Sequence, residues 1–149
     1  MTTGGGSIGQ GTLDELLDFY AFMIQANGLV ARTEDLDALF VDLCRLGIHL
    51  DRRLVLAWIG MIEAGATELR IVASAGPAVA YLDGLHVALD PNDERGRGPT
   101  GRTLREGRCV VVNRFLQEAT TAPWHAAAKR FGIEASVAVP LRRGGSGAA

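Results

Sequence analysis

Gly96-Arg97-Gly98-Pro99-Thr100-Gly101-Arg102-Thr103, followed by Leu104-Arg105-Glu106-Gly107 and then Cys109-Val110-Val111-Val112-Asn113, is the stretch that decides how this chain is read. Its glycines fit G-x-G-x-x-G, and Gly96 to Thr103 also fits a P-loop pattern with Arg102 where lysine belongs. Both patterns cradle phosphates only where the glycine turn leaves a buried parallel strand and feeds a long helix. Here the acidic linker Asp90-Pro91-Asn92-Asp93-Glu94-Arg95 comes first, which repels a pyrophosphate, and the helix that follows closes at Gly107 after barely two turns. The glycines therefore read as the structural lead-in to a short helix, which is followed by a strand.

Outside that stretch, composition narrows the function classes. The chain has 149 residues, a one-domain length, and a formal charge of -2. Lys129 is the only lysine, and Arg142-Arg143 is the one basic pair that resembles a patch. Nucleic-acid binders concentrate far more positive surface than this, so no nucleic-acid partner is expected. There is neither a long apolar run nor a signal-peptide pattern at the start, so neither a membrane partner nor export is expected and the location reads as cytoplasmic. Cys44 lies in a helical pattern and Cys109 opens a strand; without a C-x-x-C they read as small buried hydrophobes, not as a disulfide or zinc site. Residues 1–11 and 144–149 have the composition of flexible glycine-rich tails, leaving 12–143 as the domain.

Two helices are expected first. Thr12 with Glu15 makes a capping box, Leu13, Leu16, Leu17, Tyr20, Met23 and Ile24 form one stripe, and Asn27-Gly28 reads as the stop of a helix over 12–31. Phe19 and Phe22 widen the stripe, which suits either a broad core face or contact with a second copy of the helix. Thr33 reads as the next cap, Leu36, Leu39, Phe40, Leu43 and Leu46 as the apolar face, and Gly47 as the stop, with His49 in the connection. Beyond it, Leu54 to Ile62 is apolar on both faces and Glu68 to Ala75 alternates, which predicts an antiparallel hairpin. A short helical piece from Ala78 to Gly84, a strand Leu85 to Leu89, the strand Cys109 to Asn113, a helix begun by Pro123 and stopped at Gly132, and a strand Ser136 to Leu141 complete the order. Thr120 or Thr121 is placed to cap the Pro123 helix.

This succession resembles the GAF domain family, sensory modules related to PAS. The likeness lies in Leu54-Val55-Leu56-Ala57-Trp58-Ile59-Gly60, Val72-Ala73-Ser74-Ala75-Gly76, the run from Gly96 to Arg108 with Val110-Val111-Val112-Asn113, Pro123-Trp124 with Phe131-Gly132-Ile133, and Ser136-Val137-Ala138-Val139-Pro140-Leu141. It covers residues 34–145. The resemblance implies an α+β fold: a central antiparallel β-sheet with helices on one face and a ligand cavity on the other, roofed by short helices. It also implies a domain that detects a signal and passes it to an output domain such as a diguanylate cyclase, phosphodiesterase or histidine kinase.

The chain departs from the family pattern in three ways. The family's last strand and closing helix are not recognisable after Arg143, so a fragment of a longer signalling protein is expected. Cys109 stands where related sequences place proline. Asn113-Arg114-Phe115 lacks the lysine and acidic pair of cyclic-nucleotide-binding members, and neither cysteine has the setting of a bilin attachment site. A haem-binding member would need an axial imidazole, for which His86 and His125 are the candidates. The cofactor is thus unknown.

The elements expected to roof a small-molecule pocket carry Tyr81, His86, Thr100, Arg102, Trp124, His125 and Phe131, apolar walls with a few directional polar groups. Arg102, early in its helix, is placed to meet an anion. Two other readings stay open. One is a dimerisation module that pairs through the first helix; the other is an enzyme like the GAF-related free methionine sulfoxide reductases, which needs Cys109 or Cys44 as a reactive thiolate.

Overall fold

The structure, a computed structural model, describes residues 10–141. Most of both expected tails and the Arg142-Arg143 pair lie outside the described residues, while Gln10 and Gly11 already belong to the first helix. The architecture is α+β, as expected. Among the described residues, strand pairing falls into two two-stranded sheets. The chain divides into two compact units, one of residues up to Ile59 with Ile71–Pro77, the other of Gly60–Arg70 and the residues from Ala78 onward.

The first unit is built on two helices, α1 (Gln10–Arg32) and α2 (Leu36–Leu50). Thr12 lies inside α1 and is not its cap, and the helix runs through Asn27-Gly28 to Arg32. Asn and Gly stop a helix only where the chain turns left-handed, and neither is among the positive-φ positions here. The helix continues past them with Leu29 half-buried, and α1 packs on α2. The cap of α2 is Asp35 in place of Thr33: its Oδ1 accepts from the Asp37 amide at 3.0 Å, satisfying one orphan donor. Gly47 likewise fails to stop α2, which ends when the Asp51 amide donates to the Gly47 carbonyl at 3.1 Å. His49 therefore sits in the last turn and not in a connection. Leu39, Cys44 and Ala73 are buried in this unit.

Strands β1 (Ala57–Met61) and β2 (Arg70–Ala75) pair, and the link 62–69 is too short for the crossover that parallel pairing requires. Both are shorter than the apolar runs suggest. In the second unit the 3-10 turn Val79–Gly84 matches the expected helical piece. The strand expected over Leu85 to Leu89 is reduced to one antiparallel bridge, Glu68 with Ala88. Helix α3 (Pro99–Glu106) leads to β3 (Val110–Val112), which pairs antiparallel with β4 (Ser136–Ala138), Val111 opposite Val137. Pro140 has no amide to donate, and β4 stops before it. Pro123 sits within a 3-10 turn, Ala119–Trp124, and α4 (His125–Phe131) begins only after it. Gly132 closes α4 at φ 71°, the left-handed stop read from sequence. Val110, Val112, Phe115, Trp124, Ala128 and Ile133 form this unit's core.

Candidate functional site

The glycine run is shaped by packing. Gly98 caps α3 and Pro99 takes the first helical position, where a missing amide costs nothing. A β-carbon on Gly96 would overlap the Asp90 carbonyl oxygen, one on Gly98 the Trp124 ring, and one on Gly101 the Gly96 carbonyl oxygen. Each glycine of the motif is thus required by an atom of the protein itself. The neighbouring cations are spent in the same way: Arg105 Nη1 donates to the Gly96 carbonyl at 2.7 Å, and Arg97 donates to the carbonyls of Pro91 and Asn92, both at 3.0 Å. Thr103, buried, ties α3 to β4 by donating to the Ala138 carbonyl at 3.1 Å.

The candidate roof residues all belong to the second unit. Tyr81 is buried, and that burial pushes its hydroxyl pKa up to about 12. Its ring meets Phe131 edge to face, with centroids 6.3 Å apart, joining the 3-10 turn Val79–Gly84 to the end of α4. Trp124 is buried over Gly98. Thr100 and Arg102 are half-buried in α3, and Arg102 Nε lies 3.5 Å from Glu106 Oε1 one turn on.

His125 Nε2 lies 3.0 Å from Thr121 Oγ1 and 3.2 Å from the Glu118 carbonyl. Thr121 is fully buried and has one proton, for which the carbonyls of Phe115 and Glu118 compete. The imidazole must therefore donate from Nε2, which leaves Nδ1 of the neutral ring as an acceptor. His86 stands apart from these groups. It is exposed on the bridge segment, with Nδ1 3.0 Å from Glu68 Oε2, and Arg95 approaches the same carboxylate at 3.9 Å. Of the two haem-ligand candidates, one ring is thus held by a carboxylate and the other donates from Nε2 into a backbone pocket.

The cysteines differ from each other. Cys44 is buried, and desolvation raises its pKa. Cys109 is exposed, against the expectation of two buried thiols, because it precedes β3 and is not part of it. Among the described residues no three His, Cys, Asp or Glu side chains stand together as a metal set. No helix among them is long and apolar enough to cross a membrane.

The first unit has a cleft of about 560 Å³ lined by Arg45, Ile48, His49, Arg52, Ser74, Ala75 and Gly76. Sequence reading treated His49 as a lone histidine and overlooked this group. The signal is partial: Arg45 and His49 stand one turn apart on α2, and Arg52 follows just past its end.

A family model for the GAF domain matches residues 33–147, most of the chain. The crystal structure of the A. aeolicus nlh2 GAF domain in an inactive state is similar in fold, with a TM-score of 0.66 and 17% identity over 86% of this chain and 73% of that one. No curated protein matches.

Proposed function

The chain belongs to the GAF domain family of regulatory and sensory modules, and from that premise we propose that its second unit takes up a small molecule and signals to an output domain of diguanylate cyclase or histidine kinase type in the cytoplasm. The family match carries this reading. The location of Tyr81, Thr100, Arg102, Trp124, His125 and Phe131 on short helical segments supports the ligand part of it. Segments of one or two turns have few internal hydrogen bonds and rearrange at low cost, so a ligand that favours one arrangement shifts the population. Native mass spectrometry with an absorption spectrum tests it. The purified protein should carry, or take from a metabolite panel, a small molecule lost on Phe131→Ala. A bare mass with no stabilising metabolite would overturn it.

A second proposal, a homodimer, rests on α1. The half-buried residues Ala21, Phe22, Ala26 and Leu29 lie on the side that packs on α2. The opposite face exposes Leu13 (54%), Leu16, Leu17, Tyr20, Met23, Ile24 (71%) and Val30. Leu13, Leu16, Tyr20, Met23, Asn27 and Val30 follow alternating three- and four-residue steps, the a and d positions of a coiled coil. Soluble monomers seldom leave seven large apolar side chains together on one exposed helix face, so a second helix is the natural cover. Asn27, at an a position, then meets its own copy only in a parallel, in-register pair. Leu16→Asp with Tyr20→Asp should halve the mass seen by light scattering while helicity persists. An unchanged mass refutes the pairing.

The enzyme reading has less support: Cys44 is buried with a raised pKa and makes a poor thiolate, so the exposed Cys109 would have to act without a second accessible cysteine.

A further inference from the structure

We propose that the cleft at the end of α2 binds an oxyanion, the phosphate or carboxylate group of a small molecule, through Arg45, Arg52 and His49 with the Ser74 hydroxyl on the facing wall. The case starts from how arginines are used elsewhere in the chain. Arg97 and Arg105 end on backbone carbonyls, and Arg95, Arg102 and Arg108 lie beside carboxylates. Arg53, one residue from the cleft, is clamped by Asp51 at 2.9 and 3.0 Å. Arg52 has neither an ion pair nor a side-chain hydrogen bond among the described residues, and Arg45 has only an exposed pair with Asp42 at 3.7 Å, which binds weakly and can yield to a ligand.

Helix polarity explains part of this placement. Cations are favoured near a helix C-terminus, and His49 lies in the last turn of α2. That effect accounts for a local charge, but it does not explain why two arginines and a histidine line one cleft without a lining carboxylate in a chain whose net charge is -2. The facing wall adds the needed space. Ser74, Ala75 and Gly76 are small, and Gly76 sits at φ 117° with the Val55 carbonyl and Ile48 Cδ1 close to where a β-carbon would stand, so no larger side chain can fill the cleft from there. The cleft is open to solvent and has room for a phosphate or carboxylate group. Two guanidinium forks present paired donors that match phosphate and carboxylate oxygens.

This proposal is independent of the ligand proposed for the second unit, and its failure would leave that reading intact. Isothermal titration of the full chain with inorganic phosphate and separately with citrate, each against sodium chloride of matched ionic strength, tests the binding and distinguishes the two oxyanion chemistries. Saturable binding of at least one is expected, about fivefold weaker or more in Arg52→Gln and in Arg45→Gln, and unchanged in Arg53→Gln. Phenylglyoxal modification read by peptide mass needs no variant, and the bound anion should protect Arg45 and Arg52 but not Arg108. Binding matched by chloride, equal binding in both cleft variants, or modification indifferent to the anion would each overturn the proposal.

Discussion

The glycine motif of the second unit and the two helices of the first use the same residue types in opposite ways. At the motif, Trp124 is buried over Gly98, and Arg97 and Arg105 close onto nearby backbone carbonyls. In the first unit, α1 leaves Leu13, Leu17 and Ile24 exposed on one face, and the end of α2 leaves Arg52 without a partner among the described residues and Arg45 with only Asp42 at 3.7 Å. Where these groups end on other groups of the chain, the structure accounts for itself. Where groups are left over, the unmet chemistry points to something outside the chain, a second helix in one case and an oxyanion in the other.

The largest test of this contrast is Trp124→Ala. It removes a ring that fills the space above Gly98 and should cost about 4 kcal/mol of stability in denaturant titration. Leu17→Gln in α1 should change folding by less than about 0.5 kcal/mol when measured at concentrations where the chain is monomeric. If Leu17→Gln proved as costly as Trp124→Ala, the α1 face would be core and the contrast would be lost.

Gly101→Val comes next. Its branched side chain would meet the Gly96 carbonyl and displace the Arg105 fork, for a loss of about 3 kcal/mol in the same measurement. Gly47→Ala, in α2, meets nothing within 4 Å and should be neutral or slightly stabilising. A tolerated Gly101→Val would reopen the phosphate-loop reading, since the glycine would then not be explained by packing.

These glycines also mark the limit of what the sequence makes legible. Their positions and the short helix after them were readable, as were the left-handed stops at Gly107 and Gly132, because local backbone chemistry determines them. Their cause was not readable. Gly98 is glycine because Trp124, far along the chain, lies over it, and spacing rules carry no information about such a contact. The same holds for Asn27-Gly28 and Gly47, stop signals in isolation that the packing of α1 on α2 overrides. The roof candidates were identified by element; the cleft was not, because Arg45, His49 and Arg52 become a site only once Ser74 to Gly76 stand opposite.

Thr121→Val is a smaller perturbation and tests the second unit's polar closure. Valine keeps the shape but removes the hydroxyl that donates to the Phe115 or Glu118 carbonyl and accepts from His125 Nε2. A loss of about 2 kcal/mol is expected, together with a shift of the His125 ring resonances in an NMR spectrum. Unmoved ring resonances would mean that His125 is not held by Thr121.

The smallest effect separates two neighbouring arginines. Hydrogen bonds from the Arg53 side chain, then from its backbone amide, hold the Asp51 carboxyl below the usual carboxylate range. A depressed carboxyl contributes stability that is fully present above its unfolded value, about pH 4, and is lost as pH falls through the lower folded value. Arg53→Gln should therefore raise the Asp51 pKa in an NMR titration without restoring it fully, because the residue 53 amide still donates, and should flatten the acid limb of the stability curve. Arg52→Gln should leave that titration where it is, because Arg52 makes no bond to Asp51. Equal movement in both variants would show that Arg52 is already engaged within the chain, which removes the unmet charge on which the oxyanion cleft depends.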